Sequence, residues 1–74
     1  MNQRDVGLFI ASKRREKNLT QEQAAEALGV STQTVSRWEC NTTLPDVTIL
    51  PKIAALYCVT IDDLYKETST AYDN

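Results

Sequence analysis

Histidine is absent from this 74-residue sequence, and cysteine occurs only twice, as Cys40 and Cys58. Without histidine, and with no glycine-rich phosphate loop, the serine and cysteine side chains lack the base that would activate them as nucleophiles. Two irregularly spaced cysteines are too few for a disulfide framework or a zinc site. We therefore expect a protein that is not an enzyme, needs no metal or cofactor, and works in a reducing compartment, the cytoplasm.

Long apolar runs are missing as well. No stretch is long and apolar enough to span a membrane, and residues 1–17 are charged and lack the apolar segment of a secretory signal. A chain of 74 residues is long enough for one domain and leaves no room for a second. The sequence therefore predicts a single domain with no membrane association and no separate module for a small-molecule ligand.

An excess of positive charge is the third absence. The net charge is −2, which argues against a nucleic-acid partner if the chain is taken as uniform. The charges are unevenly distributed, because residues 1–41 carry six basic and five acidic side chains, whereas residues 42–74 carry two and five. With nucleic acid as the partner, this balance predicts modest non-specific affinity and phosphate contacts made largely by neutral donors.

What the sequence does contain is a pair of short helical patterns within residues 19–39, LTQEQAAEALGVSTQTVSRWE. Thr20 is placed to cap the first helix, with Gln23 completing a capping box, and Gly29 fits the left-handed position that ends it. Ser31 is placed to cap the second helix. Two helices joined by so tight a turn cross steeply, which predicts a helix-turn-helix whose second helix can enter a DNA major groove.

The second of these helices has two different faces. Val35 and Trp38 lie on its inward side. The outward side carries four polar side chains, Thr32, Gln33, Ser36 and Arg37. The Gln33 amide can pair with adenine and the Arg37 guanidinium with guanine, while the two hydroxyls suit neighbouring base edges or a thymine methyl. The alternative is a solvated polar face, which most helices possess; the surrounding motif favours contact with bases.

The motif continues into Leu44-Pro45-Asp46 and then ILPKIAALYCVTIDDLY, residues 49–65. Over residues 5–66 the chain resembles the phage-repressor and Cro type of helix-turn-helix protein, the XRE family of bacterial regulators. The resemblance implies an all-α fold, a compact five-helix bundle in which helices 2 and 3 form the helix-turn-helix. It also implies a sequence-specific transcription regulator that binds double-stranded operator DNA. In resembling proteins an Arg at the place of Arg14 pairs with a Glu at the place of Glu39, which implies the same structural ion pair here.

The remaining helices follow from caps and apolar spacing. A first helix is expected over about residues 5–17, where apolar side chains recur at spacings of three and four. Thr48 is placed to cap a fourth helix and Thr60 to cap a fifth. Residues 5–66 form the predicted DNA-binding domain, and residues 67–74 are expected to be a disordered tail.

Two positions depart from the family pattern. The family usually has Asn-Gly where this chain has Cys40 and Asn41, so Asn41 is expected to supply the left-handed residue that ends helix 3. Cys58 stands where the family often ends helix 4 with Gly or Asn. We expect a less favourable helix end there, with Cys58 acting as a small buried hydrophobe.

Six polar residues around the reading helix are candidates for contact with DNA phosphates: Gln21, Ser31, Thr34, Asn41, Thr42 and Thr43. Gln21 begins helix 2, where its side chain and the free backbone N–H groups can meet a phosphate. Ser31 and Thr34 match positions that contact the DNA backbone in resembling proteins. Each also has a reading without DNA, with Ser31 as a helix cap, Thr34 as a surface residue and the loop residues in turn chemistry.

The leading hypothesis is a homodimeric transcription regulator that binds a palindromic operator, with half-sites about one helical turn apart. Repression is the usual outcome that the resemblance implies, and activation is also known in the family. Apolar side chains around helix 5, such as Ile61, Leu64 or Tyr65, are the candidates for the dimer contact. The net negative charge keeps a second hypothesis open, a protein-interaction module or antitoxin on the same fold. Salt dependence separates the two, because DNA binding weakens steeply as salt rises.

Overall fold

The structure, a computed structural model, describes residues 6–68. Five α-helices follow one another in this range: α1 (Val6–Glu16), α2 (Gln21–Leu28), α3 (Thr32–Glu39), α4 (Leu50–Tyr57) and α5 (Ile61–Thr68). The part of the chain that the structure describes has no strand, so the predicted all-α, five-helix architecture is confirmed. None of these helices has both the length and the apolar character needed to cross a membrane. Asp5 and residues 69–74 of the predicted tail lie outside the described residues, and α5 continues past the predicted boundary at residue 66.

The caps that define α2 and α3 are those expected from the sequence. Thr20 Oγ1 accepts from the Gln23 backbone N–H at 3.0 Å, and Gln23 Oε1 accepts from the Thr20 N–H at 2.9 Å, which completes the capping box. Gly29 ends α2 with φ 75° and ψ 30°, the left-handed conformation that glycine adopts most easily. Ser31 Oγ then accepts from the Thr34 N–H at 3.0 Å at the start of α3. The tight turn that orients α3 against α2 is therefore encoded locally.

Apolar side chains from all five helices meet in one core. Ile10, Val35, Ile53 and Leu64 are the largest side chains that are fully buried, and each contributes about 1.5–3 kcal/mol by leaving water. Trp38 packs into the same cluster, so the predicted inward face of α3 is confirmed. The suggestion that Leu64 forms a dimer contact is wrong, because its side chain is already enclosed by its own core.

The start of α1 lies against the end of α3 at very short range. A Cβ atom added to Gly7 would lie 2.6 Å from both the Trp38 and the Glu39 carbonyl oxygens, so only glycine allows this approach. The Gly7 backbone N–H donates to Asn41 Oδ1 at 3.0 Å, which satisfies one of the amide groups that every helix leaves free in its first turn. The position of α3 is thereby fixed relative to α1.

The predicted cap of α4 is wrong. Ile49 is the N-cap residue, and no side chain caps this helix. Thr48 instead donates its hydroxyl to Asp46 Oδ2 at 2.8 Å, within the turn that precedes α4. The reason is that Ile49 already has helix-like backbone angles (φ −95°, ψ −13°), so the hydroxyl of Thr48 is one residue too early to reach the first turn. Thr60, by contrast, caps α5 as predicted, with Oγ1 accepting from the Asp63 N–H at 3.0 Å.

Cys58 is exposed, so the prediction that it is a buried hydrophobe is wrong. The residue ends α4 in the left-handed conformation, with φ 59° and ψ 42°, and this conformation turns the thiol toward the surface. Its Sγ accepts from Lys17 Nζ at 3.1 Å. The expected unfavourable helix end is confirmed, since a residue with a Cβ pays a steric penalty in this region. Asn41 also has a positive φ, 60°, as predicted for the residue after α3.

Candidate nucleic-acid interface

The four predicted base-contacting residues lie on one side of α3. At 100° per residue, positions 32, 33, 36 and 37 fall within an arc of about 140°. Thr32, Gln33 and Arg37 are exposed and Ser36 is half-buried, whereas Val35 on the opposite side is 0% exposed. The helix therefore presents an amide, a guanidinium and two hydroxyl groups outward from a buried apolar back.

The hydroxyl groups at the start of α3 are paired with each other. Ser31 Oγ and Thr34 Oγ1 are 2.8 Å apart, while Ser31 Oγ also accepts from the Thr34 backbone N–H. One hydroxyl hydrogen is used between the two oxygens, so the other remains to donate outward. The capping role of Ser31 is thus present and does not exhaust the donors at this end of the helix.

Arg14 joins three segments of the chain through one guanidinium. Its Nε donates to Glu39 Oε2 at 2.7 Å and its Nη2 donates to Glu39 Oε1 at 3.1 Å, which forms a bidentate ion pair between α1 and α3. Its Nη1 donates to the Leu19 carbonyl oxygen at 2.8 Å, just before α2. The two charged side chains are only 13% and 6% exposed. The hydrogen bond to Glu39 raises the pKa of Arg14 above its ordinary value, against the opposing effect of burial, so the guanidinium remains charged.

Gln21, the first residue of α2, is tied to the same carboxylate. Its Nε2 donates to Glu39 Oε1 at 3.0 Å, and the side chain is half-buried. Phosphate contact was the role expected of Gln21 from its position in the sequence, and this bond to Glu39 was not expected. An amide nitrogen has two hydrogens, so one donor remains beyond the bond to Glu39.

The loop after α3 carries the other candidate phosphate contacts. Asn41, Thr42 and Thr43 are all exposed. The Thr42 backbone N–H donates to the Arg37 carbonyl oxygen at 2.9 Å, and the side-chain oxygen of Asn41 accepts from Gly7. These bonds hold the exposed loop beside the end of α3.

Positive charge is sparse around this surface. Arg37 is exposed on α3, but Arg14 is committed to Glu39. Lys13, at the end of α1, lies 5.5 Å from the centroid of the Phe9 ring and 3.5 Å from a carboxylate oxygen of Glu16. The outward face of α3 and the loop after it therefore offer mainly neutral donors.

The available chemistry is that of hydrogen bonding to an acceptor-rich partner. Residues 6–68 contain no cluster of three or more His, Cys, Asp or Glu side chains that could hold a metal ion. Amides, hydroxyls and a guanidinium are the groups that recognise base edges and phosphates. Sequence reasoning missed Gly7, although a glycine within a helical pattern costs about 1 kcal/mol relative to alanine and so signals a close approach.

The sequence of this chain is similar to those of known helix-turn-helix proteins. The family model of helix-turn-helix proteins matches residues 10–64. The HTH-type transcriptional activator BcrR of Enterococcus faecalis is 48% identical over 48 residues, which cover 65% of this chain and 24% of that protein. The chain thus spans about a quarter of the length of this curated relative.

Solved structures show the same helical arrangement. The DNA-binding domain of the P22 c2 repressor aligns with a TM-score of 0.82 and 28% identity, covering 97% of this chain and 100% of that one. SinR of Bacillus subtilis, solved in complex with DNA, aligns with a TM-score of 0.73 and 30% identity, covering 80% and 95% of the two chains.

Proposed function

This chain belongs to the helix-turn-helix family of DNA-binding transcription regulators, and from that premise we propose that it is a homodimeric repressor whose α3 reads an operator. Proteins of this family and fold are not enzymes. The proposed partner is double-stranded DNA, because SinR, which has the same fold, was solved in complex with DNA. The proposed compartment is the cytoplasm of a bacterial cell.

The observation that carries the proposal is the exposed polar face of α3 above the buried Val35 and Trp38. Gln33 can form two hydrogen bonds with adenine, and Arg37 can form two with the N7 and O6 atoms of guanine. Each such bidentate contact discriminates against a wrong base by about 1–3 kcal/mol. Thr32 and Ser36 add hydroxyl or methyl contacts to bases next to these.

Phosphate contacts around this face set the position of α3 in the groove. We assign them to six residues, Gln21, Ser31, Thr34, Asn41, Thr42 and Thr43. Neutral donors of this kind bind phosphate oxygens without releasing many counterions, which suits a chain of net charge −2. The expected result is a shallow dependence of affinity on salt for a DNA-binding protein.

A second copy of the chain would place a second α3 one helical turn away, about 34 Å along the DNA. Exposed apolar side chains that suit this contact include Leu44, Val47 and Ile61, which are 59%, 65% and 41% exposed. Of these, Ile61 was anticipated from the sequence. Repression then requires only that the dimer occupy DNA needed by the polymerase, so no further contact is involved.

Selection of bound sequences from a random DNA pool tests the proposal. We expect the chain to select a palindromic site, and Gln33→Ala and Arg37→Ala each to lose preference at one position while circular dichroism shows unchanged helicity. Lys52→Ala is the matched control for Arg37, because it removes an exposed cation from α4 and should keep the preference. Unchanged preference in both α3 variants would show that another element reads the DNA.

The acidic balance of the chain supports one competing function, a protein-interaction module or antitoxin on the same fold. A salt titration of operator binding bears on the choice, since even the shallow loss of affinity expected here reports contact with phosphates, which the interaction module would not make. Purification in a fixed stoichiometric complex with another protein, with no site selected from random DNA, would favour the interaction module.

A further inference from the structure

We propose that Glu39 is a positioning residue for DNA binding, because its carboxylate holds the Gln21 amide with one N–H directed to a phosphate. The inference rests on the proposed function. Glu39 Oε1 accepts from Gln21 Nε2 at 3.0 Å, across the crossing of α2 and α3. Glu39 lies at the end of the reading helix, and Gln21 is the first residue of the helix before it. An acidic side chain thereby strengthens contact with an anionic partner.

The chemistry of a primary amide explains how this works. An amide offers two N–H donors on its nitrogen and an acceptor oxygen, whereas a phosphate accepts only. An unrestrained Gln21 would also direct its oxygen at the phosphate, which is repulsive. A carboxylate cannot donate a hydrogen bond, so Glu39 can bind only the nitrogen of the Gln21 amide. This bond fixes the orientation of the amide group. The second hydrogen on that nitrogen then faces away from Glu39.

Charge and burial keep the carboxylate from repelling the DNA. Both Glu39 oxygens accept from Arg14, at 2.7 and 3.1 Å, so the pair has no net charge. The Glu39 side chain is 6% exposed, and it is screened from solvent by the groups that bind it. Gln21 also loses part of its rotamer freedom before DNA arrives, and this lowers the entropy cost of binding.

A double-mutant cycle tests the coupling between Glu39 and Gln21. Gln21→Ala is made in the natural chain and in the combined variant Arg14→Met with Glu39→Met, which replaces the ion pair by apolar side chains of similar length. We expect Gln21→Ala to weaken operator binding about tenfold in the natural chain, as for one hydrogen bond to a charged group, and less than about threefold in the methionine background. Gln33→Ala is the control, because it should weaken binding equally in both backgrounds.

Equal losses from Gln21→Ala in the two backgrounds overturn the inference, and so does no loss in either. In both of these cases a retained loss from Gln33→Ala shows that α3 still reads DNA and that the proposed function stands. An NMR measurement on the unmodified chain covers the case in which the methionine variant does not fold. The side-chain amide hydrogens of Gln21 should exchange with water more slowly than those of exposed Gln23, and equal exchange rates overturn the inference.

Discussion

Gly7 and Glu39 approach so closely that the backbone carbonyl of Glu39 takes the space where any other residue would carry its Cβ. The distance from that Cβ position to the Glu39 oxygen is 2.6 Å, well inside van der Waals contact. The bidentate bond from Arg14 reaches the side chain of the same residue. The end of α3 is therefore held by α1 through both its backbone and its side chain.

Gly7→Ala is expected to destabilise the fold, although alanine is the better helix former by about 1 kcal/mol. The added methyl group would collide with two backbone carbonyls, which cannot rotate away, and overpacking of this kind costs about 1–3 kcal/mol. Thermal unfolding measures the change. Ser12→Ala, at an exposed position of α1, serves as the control and should not lower stability.

Arg14→Lys should lower the free energy of unfolding by about 1–2 kcal/mol. A lysine ammonium keeps the charge but cannot donate at once to both Glu39 oxygens and to the Leu19 carbonyl oxygen. Arg15→Lys, at the exposed neighbouring position, should stay within about 0.5 kcal/mol of the natural chain. Equal stability of the two variants in urea would contradict a structural role for the three hydrogen bonds of the Arg14 guanidinium.

Tyr57 gives the fold a sensitivity to alkaline pH. The pKa of Tyr57 is raised from 10.0 to about 12, chiefly by burial and then by the charge of Glu39, against the smaller lowering effect of Arg14. Above pH 10 the unfolded chain releases this proton and the folded chain keeps it, so the stabilisation present below pH 10 is lost between pH 10 and pH 12.

Tyr57→Phe should reduce that alkaline loss of stability. The Tyr57 hydroxyl is buried, and no partner for it exists among the described residues, so its removal should also raise stability by about 1 kcal/mol at neutral pH. Unfolding in urea at neutral and alkaline pH measures both effects. A Phe variant that is less stable at neutral pH would mean that the hydroxyl has a bonded water.

Cys58→Gly should stabilise the end of α4 by about 1 kcal/mol, because glycine adopts the left-handed backbone conformation without a steric penalty. Cys40 provides the matched comparison. It ends α3 with φ −94°, which suits any residue, so Cys40→Gly should lower stability through the entropy of the unfolded chain. Thermal unfolding of the two variants should thus show shifts of opposite sign.

Ile61→Glu and Leu64→Ala should separate dimer contact from folding. Ile61 is 41% exposed, so the charged variant should fold normally and lose cooperative occupation of the two half-sites in a binding titration. Leu64 is 0% exposed, and its truncation should cost about 2–5 kcal/mol of stability. Normal cooperativity in the Ile61 variant would show that the dimer contact lies on another surface, such as that of Leu44 and Val47.

The sequence predicted the features that depend on local hydrogen bonds. Thr20, Gly29 and Ser31 bound their helices as expected, because a cap is made by residues three or four apart in the chain. The prediction that Thr48 caps α4 was wrong by one residue, because the spacing of residues in a sequence locates the end of a helix only to within one or two positions. The prediction that Cys58 is buried was wrong, because its exposure follows from the backbone conformation at the helix end and not from the polarity of its side chain.

Contacts between distant segments could not be predicted from spacing. The outward face of α3 follows from the helical period, and the structure shows those side chains at the surface. The Gln21 bond to Glu39 joins residues 18 positions apart, and the Gly7 bond to Asn41 joins residues 34 apart. Both depend on how α1, α2 and α3 cross, which no single stretch specifies.

The division of α3 into a buried back and an exposed front has an evolutionary consequence. Replacements at Thr32, Gln33 or Arg37 alter side chains in solvent, and surface changes of this kind shift folding stability by no more than about 0.5 kcal/mol. Val35 and Trp38, which orient the helix, are untouched by them. Under the proposed function, descendants of such a gene can therefore acquire new target sites through changes at a few codons while the scaffold stays the same.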